Sequence, residues 1–373
     1  MKTMNQRSKS VWRGAVVAAT LALPGALMAG ENLSAEAEAA KAIALEQMSG
    51  NVQWSGPETS PAPIPGKRIA VISCCQAAEG AARPARSMEE AGALMGWEVD
   101  VFDGAGDPVQ QNQALNAAVD AGYDGIALIF VDTPVVSDGV ARALDANIPL
   151  ITLGSLHNTP AHIPDVSHDW IHQAKGIGAY MAWKSGGEVN ALMLKNTDLY
   201  ITENGQFKGA MDILTDPAFC PDCDMDVKDW SLANLDTQPA AIATAALKAD
   251  PATNWVWCFD ACMSRVVRTL IASGQGSTLM GAGYDCHGEN LGLIRDGMIQ
   301  AVCAADPRDW EAYALMDNIN RMIHGQDVVD HGIPTRLFDA SNVHELTEHE
   351  IDEGWQGDYD FRSKYKELWG VDG

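Results

Sequence analysis

Basic residues are scarce in this sequence of 373 residues. It holds 25 lysines and arginines against 50 aspartates and glutamates, for a formal net charge of −25 at pH 7. A surface of that sign repels a phosphate backbone, so we expect no nucleic-acid partner. With 47% hydrophobic and 20% charged residues, the composition is that of a globular chain rather than a disordered or membrane-embedded one. The length suits two domains better than one.

The sequence signatures of several enzyme classes are absent as well. The chain contains no G-x-S-x-G nucleophile elbow, no Walker loop, no H-E-x-x-H zinc motif and no G-x-G-x-x-G dinucleotide loop. We therefore expect a binding protein with no catalytic residues, no cofactor and no metal.

The amino-terminal segment has the pattern of an export signal. Four basic residues in 1–13 precede the apolar run 15–23, and small residues follow as far as Ala29. This pattern predicts a secretory signal peptide over 1–29 and a periplasmic protein. A membrane anchor is the alternative, but the run is too short to span a bilayer. Export permits disulfides, and the chain has an even number of cysteines, eight.

The remaining sequence predicts alternating strands and helices after a short introduction. Residues 34–48 predict a helix capped by Ser34, and the proline-containing segment up to Gly66 predicts an extended strap. Apolar runs separated by helical segments then predict two series of buried strands, and their short connections indicate parallel sheets. The predicted strands lie at 67–73, 97–103, 125–132 and 148–155, and at 188–196, 226–230, 254–260, 277–285 and 298–306.

Six segments follow one another in a characteristic order. They are GDP at 106–108, AGYDGIAL at 121–128, DANIPLITL at 145–153, GYD at 283–285, IRDGMIQAV at 294–302 and HGIPTRLFDASNV at 331–343. In this order they resemble the type I periplasmic binding proteins, in particular the ribose-binding-like branch that serves ABC importers, over roughly 67–343. The resemblance implies an α/β fold of two doubly wound parallel-sheet lobes with a cleft between them. It also implies a three-crossing hinge that closes on ligand.

The resemblance also implies a division of the chain. The crossings are expected near 155–168, 304–308 and 330–334. The predicted parts are a signal peptide (1–29), an N-terminal helix and strap (30–66), an N-terminal lobe (67–157 plus 307–332), a C-terminal lobe (158–306 plus 333–345) and a C-terminal tail (346–373).

Candidate ligand-binding residues follow from the place of the strand ends, because open parallel sheets bind ligands beyond the carboxyl ends of their strands. Asp132, Asp260 and Asp285 are the last residues of predicted strands. Each is either an acceptor in the pocket or the cap of the next helix, and the resemblance supports Asp285 in the pocket. The resemblance matches Gln206 to the arginine of the family's R-x-x-G-F helix. The full predicted set is Cys74, Cys75, Gln76, Asp132, Ser155, Tyr200, Gln206, Trp230, Asp260 and Asp285.

The ligand class is constrained by charge. No arginine or lysine falls clearly at the same strand ends, so an anionic ligand would lack a counter-charge, although Lys195 is a candidate. The sugar binders of the family carry an Asp–Arg pair where this chain has Gly154 and Ser155. We therefore expect a small polar, neutral or cationic, sugar- or polyol-like molecule.

The cysteines leave several pairings open. Cys74 and Cys75 either form a vicinal disulfide that presents a flat face to the cleft or pair elsewhere, whereas Cys220 and Cys223 predict a local disulfide. Two disulfides are expected among the remaining four cysteines, with a zinc site as the alternative: Cys258, Cys262, Cys286 and Cys303.

Together these features predict a monomeric periplasmic solute-binding protein that delivers its ligand to the permease of an ABC transporter. One alternative is a sensor of the same fold that signals to a membrane receptor. The other is an exported enzyme that uses the cysteines for redox or metal chemistry.

Overall fold

Two sheets organise the part of the chain that the structure describes. The structure is a computed structural model, and it describes residues 33–50, 52–155, 163–275 and 278–371. The predicted signal peptide, 1–29, lies outside these residues. Among the helices described, none is both long enough and apolar enough to cross a membrane.

The first sheet consists of five parallel strands in the order β2-β1-β3-β4-β5. Its central strands β1 and β3 are buried almost throughout, because helices cover both faces of the sheet. The short strand β5 was not predicted. It pairs with β4, so this sheet extends beyond residue 157, the end of the first predicted segment of the N-terminal lobe. The strands are β1 (Arg68–Ser73), β2 (Glu98–Asp103), β3 (Gly125–Ile129), β4 (Leu150–Leu153) and β5 (Asp165–Val166), and the helices between them are α2 (Glu79–Met95), α3 (Pro108–Asp120) and α4 (Ser137–Asp145).

The second sheet has six strands in the order β11-β10-β9-β8-β6-β7, all parallel except β11. Its strands are β6 (Asn190–Asn196), β7 (Asp224–Trp230), β8 (Trp255–Phe259), β9 (Met280–Tyr284), β10 (Gln300–Ala305) and β11 (Arg336–Asp339). Its helices are α5 (Trp170–Lys184), α6 (Lys208–Leu214), α7 (Gln238–Ala249), α8 (Asp260–Ala272) and α9 (Gly288–Arg295).

The chain passes between the two sheets three times. It crosses after β5, again between β10 and helix α10 (Arg308–Ile323), and a third time between α10 and β11. Although α10 follows a strand of the second sheet, it packs against α2, β3 and β4. We call the first sheet with α2, α3, α4 and α10 the first lobe, and the second sheet with α5 to α9 the second lobe. The predicted fold class is confirmed.

Segments at both ends of the described chain connect the lobes further. Helix α1 (Ala35–Met48), capped by Ser34 as predicted, packs against α5 of the second lobe. The strap after it reaches the first lobe, where the Trp54 ring stacks on Trp310 at 5.5 Å between centroids. Near the other end, α11 (Glu348–Glu353) packs against α9, and α12 (Phe361–Trp369) packs against α10.

All eight cysteines lie in four disulfide pairs, and each pair is close in sequence. The pairs are Cys74–Cys75, Cys220–Cys223, Cys258–Cys262 and Cys286–Cys303, with Cα atoms 3.8, 5.5, 6.0 and 5.5 Å apart. Cys74 and Cys75 thus adopt the vicinal alternative. Within the described ranges, no group of three or more histidine, cysteine or acidic side chains is placed to hold a metal ion.

Candidate functional site

A cavity lies between the lobes, beyond the carboxyl ends of their strands, and its empty space is about 380 Å³ when the part open to solvent is included. Both lobes contribute to its walls. Residues of the first lobe are Cys74, Cys75, Ala78, Gly80, Ala81 and Phe130, and residues of the second are Leu199, Ile201, Thr202, Gln206, Leu232, Phe259, Asp260 and Asp285.

The wall of the first lobe depends on an unusual backbone at the end of β3. Phe130 has a φ of +51°, in the left-handed region that glycine favours. Gly154, at the end of β4, lies directly behind it, and a Cβ atom on Gly154 would fall 2.3 Å from the Phe130 ring. Glycine at position 154 therefore leaves the space that lets Phe130 face the cavity.

The polar wall belongs to the second lobe. Gln206 lies in a π-helical turn, Thr202–Phe207, immediately before α6, and its amide Nε2 donates to the Asp285 carboxylate at 3.4 Å. Its buried Oε1 receives no hydrogen bond from any described residue. A buried acceptor without a donor costs free energy, so this atom can accept a hydrogen bond from a donor that enters the cavity.

Asp260 is the second carboxyl group of this wall. Burial, together with the nearby charge of Asp285, raises its pKa well above the usual range. The backbone N–H groups of Gly80 and Ala261 donate to it. Since Gly80 belongs to the first lobe, one of these bonds crosses the cleft.

Arg308 is the functional residue that the sequence analysis missed. Its side chain is fully buried three residues after β10. The guanidinium contacts three carboxylates, with nitrogen–oxygen distances of 2.6 Å to Asp285, 3.0 Å to Asp306 and 2.7 Å to Glu311. The premise that no arginine lies at the strand ends was therefore wrong. With three carboxylates in contact, however, Arg308 offers no free counter-charge to an anionic ligand.

This ion cluster extends to a buried histidine at the hinge. His168, on the crossing from β5 to α5, lies with its Nδ1 atom 3.0 Å from Glu311. Burial alone would lower the pKa of His168, but Glu311 and Asp306 raise it above its usual value. Burial has the opposite effect on the acidic Asp306, because it disfavours the ionised carboxylate and raises the pKa of this residue to about 7. Two of the three crossings are thus joined by charged groups that face one another out of contact with water.

Comparison with protein-family models agrees with this architecture. Residues 69–327 match the model described as the periplasmic binding protein domain. The chain belongs to this family. No curated protein is similar enough to count as a match. The matched range leaves α1, the strap and the carboxyl-terminal helices of this periplasmic binding protein outside it.

Several solved structures share the fold at low sequence identity. A sugar ABC transporter protein from Yersinia enterocolitica aligns with a TM-score of 0.71 at 17% identity, over 84% of this chain and 99% of its own. An ABC transporter solute-binding protein from Agrobacterium vitis with bound allitol aligns with a TM-score of 0.69 at 18% sequence identity, and the alignment covers 75% of this chain and 97% of that protein. The Caulobacter myo-inositol binding protein bound to myo-inositol aligns with a TM-score of 0.68 at 15% sequence identity, and the alignment covers 77% of this chain and 98% of that protein.

Five of the ten residues predicted to bind ligand line the cavity of this periplasmic binding protein: Cys74, Cys75, Gln206, Asp260 and Asp285. None of the three aspartates at the ends of predicted strands makes an N-cap side-chain bond, but the Asp260 carboxyl group accepts from the Ala261 N–H in the first turn of α8. The N-cap residues of α8 and α9 are Phe259 and His287, and Asp132 makes no capping bond. The capping alternative thus does not describe Asp132 or Asp285, whereas Asp260 both lines the cavity and bonds the first turn of α8.

The other five predicted residues lie beside the cavity rather than in its lining. Trp230 packs on Phe259 behind the wall, because its indole N–H donates to the Leu194 carbonyl at 3.2 Å. The Tyr200 side chain is 37% exposed. Buried Ser155 donates its N–H to Asp165, and half-buried Gln76 donates its N–H to Asp103.

Asp132 contributes to the site by holding the lobes together. Its carboxylate, at the end of the first-lobe strand β3, accepts a hydrogen bond of 2.9 Å from the backbone N–H of Tyr200 in the second lobe. Burial raises the pKa of Asp132 from 3.8 to about 6. Ionised Asp132 is therefore less favourable in the folded protein than in the unfolded chain.

This raised pKa makes a contribution to stability that declines as pH rises from about 4 to about 6. Asp132→Asn keeps an oxygen acceptor for Tyr200 and removes the titration. We expect the variant to exceed the wild type in free energy of unfolding by about 1–3 kcal/mol at pH 7.5, and the difference to disappear near pH 4. Urea unfolding at both pH values measures this.

The matched control is Asp138→Asn, an exposed position in the next helix. It should change the free energy of unfolding by less than about 0.5 kcal/mol at either pH. A pH-independent effect of Asp132→Asn would contradict the assignment of a buried, weakly acidic group at this contact.

Proposed function

We propose that this chain is the solute-binding protein of an ABC importer. In this role it captures one small polar molecule between its lobes in the periplasm and presents the closed form, as a monomer, to a permease. The observation that carries the proposal is the cavity itself. It is lined by residues of both lobes, and a buried amide oxygen in its wall, Gln206 Oε1, has no donor among the described residues.

The contacts across the cleft suit a hinge that closes on ligand. Tyr200 donates to Asp132, Gly80 donates to Asp260, and Arg308 pairs with Asp285, so three bonds link the lobes beside the cavity. In an open form these partners would separate. A ligand that contacts both walls adds the interactions that shift the equilibrium towards the closed form.

The proposed ligand is neutral or cationic and related to sugars or polyols. The charge at the site supports the first part, because Asp260 and Asp285 line the cavity and Arg308, the ion-pair partner of Asp285, already contacts three carboxylates. The second part is supported by the allitol and myo-inositol bound to two proteins of the same fold.

A binding role is also favoured over enzymatic use of the cysteines. All eight are paired, so none is a free thiol. The Cys220–Cys223 pair lies far along the chain from the cavity-lining Cys74–Cys75 pair, beside Gly187, whose carbonyl both sulfurs approach. This position suits a structural crosslink.

Two linked measurements test the function. The purified protein is first incubated with a small-molecule extract of its own cells, separated by gel filtration and denatured, and the released compound is identified by mass spectrometry. Uptake of that compound, labelled, is then compared in strains with and without the gene. We expect uptake to be lost on deletion and restored by the wild-type gene. Unchanged uptake with a lost behavioural or transcriptional response to the compound would instead identify a sensor.

A further inference from the structure

The two walls of the cavity differ in chemistry, and this difference bears on the ligand. The following inference rests on the proposed function. All six lining residues of the first lobe have apolar side chains or none, whereas the four polar lining residues all belong to the second lobe. A ligand in this cavity therefore meets hydrogen-bonding side chains on one side only.

The polar side is small and partly occupied. Gln206 and Asp285 bond to each other, Asp285 also holds Arg308, and Asp260 accepts from two backbone N–H groups. What is left for a ligand is the free Gln206 Oε1, the Thr202 hydroxyl and the remaining capacity of the Asp260 carboxyl group. One or two hydroxyl groups would satisfy these atoms, because a hydroxyl group both donates and accepts.

The apolar side offers a surface for a ring. The vicinal disulfide Cys74–Cys75 places two polarizable sulfur atoms in the wall, and both residues are at least 94% buried. Phe130 adds an aromatic ring to the same wall. A hydroxyl group pressed against this wall would lose its water without gaining a side-chain partner, which disfavours binding.

We infer that the ligand is a neutral molecule with an apolar, ring-sized body and one or two adjacent hydroxyl groups at one end, rather than a fully hydroxylated sugar. The hydroxyl groups contact Gln206 and Asp260, and the body packs on Phe130 and the Cys74–Cys75 disulfide. A neutral ligand suits the site because Asp285 already has its counter-ion in Arg308.

Two compounds with the same six-membered ring test this inference. Isothermal titration calorimetry compares cyclohexane-1,2-diol with myo-inositol, after any bound compound has been removed by unfolding and refolding. We expect the diol to bind at least tenfold more tightly. A third compound, 2-aminocyclohexanol, tests charge, and tighter binding of this amine than of the diol would overturn the neutral assignment.

The other outcomes separate the two proposals. Tighter binding of myo-inositol would overturn the inference and leave the solute-binding function standing. Failure of both rings to bind would also overturn it, and the function would then depend on whether the extract experiment finds a ligand. If that experiment finds none as well, both proposals fail.

Variants locate the effect on the apolar wall. Cys74→Ala combined with Cys75→Ala removes the disulfide surface and should weaken diol binding about tenfold. The matched pair Cys220→Ala with Cys223→Ala should not change it. In case the first pair affects folding, Ala81→Ser places a hydroxyl group in the same wall without removing a crosslink. We expect it to narrow the preference for the diol over myo-inositol, and an unchanged preference would contradict the inference.

Discussion

Arg308→Met is expected to lower the free energy of unfolding by about 3–5 kcal/mol, because removing one member of a buried ion cluster leaves its partners buried without a counter-ion. Three carboxylates contact this guanidinium, and two of them, Asp306 and Glu311, have fully buried side chains. The third, Asp285, is the link to the cavity. Methionine keeps much of the side-chain volume, so the effect reports the charge rather than a void. Urea unfolding monitored by circular dichroism measures it.

Arg268→Met is the control for this prediction. Arg268 also forms an ion pair, with Glu289, but its side chain is 67% exposed. Exposed pairs contribute about 0–1 kcal/mol, so the control should be close to the wild type. A loss of less than 1 kcal/mol in Arg308→Met would show that the cluster at the hinge does not stabilise the fold.

Gly80→Leu is expected to abolish ligand binding while the protein stays folded. Gly80 lines the cavity from the first turns of α2, and a Cβ atom there would make ordinary contacts of 3.6–3.7 Å with His287, Asp260 and Asp285. The rest of a leucine side chain would then extend into the space for the ligand. Leucine is also the better helix former, by about 0.5–1 kcal/mol, so the helix itself should not suffer. Calorimetric titration with the compound identified from the extract measures the loss.

Gly292→Leu provides the matched control. Gly292 is a helical glycine as well, in α9, but a Cβ atom there meets nothing within 4 Å. The Gly292→Leu variant should bind the compound from the extract with the affinity of the wild type. Wild-type affinity in Gly80→Leu would show that the ligand binds elsewhere.

The fold was predictable from the sequence because its signals are local. Strands buried on both faces are continuous apolar runs, and β1, β3 and β8 are such runs. The three-crossing hinge was predicted from the order of six short segments, each a weak signal alone, that resemble those of a known family. The short strand β5 gave no such signal, since it consists of two residues.

The site was predictable only in part, because it depends on how the lobes meet. A strand end identifies Asp260 and Asp285 as residues near the cleft, and the structure places both in the cavity wall. Periodicity does not show that Trp230 turns away from the cleft to bond the Leu194 carbonyl. Nor does it show that Arg308, at the start of a helix, points back to the strand ends. These depend on contacts between residues far apart in sequence.

The packing of the predicted C-terminal tail, residues 346–373, shows the same limit. The Trp369 indole donates to buried Asp317 at 2.9 Å, so α12 is anchored to α10 by a polar contact as well as by stacked rings. The aromatic content of the tail predicts burial, but its partners could not be derived from spacing in the sequence.

A small molecule in the cavity between the lobes should remain with the protein through purification. Native mass spectrometry of the protein purified from the periplasm, followed by measurement under denaturing conditions, detects such a molecule. We predict a small extra mass that disappears on denaturation and is absent from Gly80→Leu but present in Gly292→Leu. A wild-type protein that carries no added mass, even after incubation with the extract, would contradict this expectation.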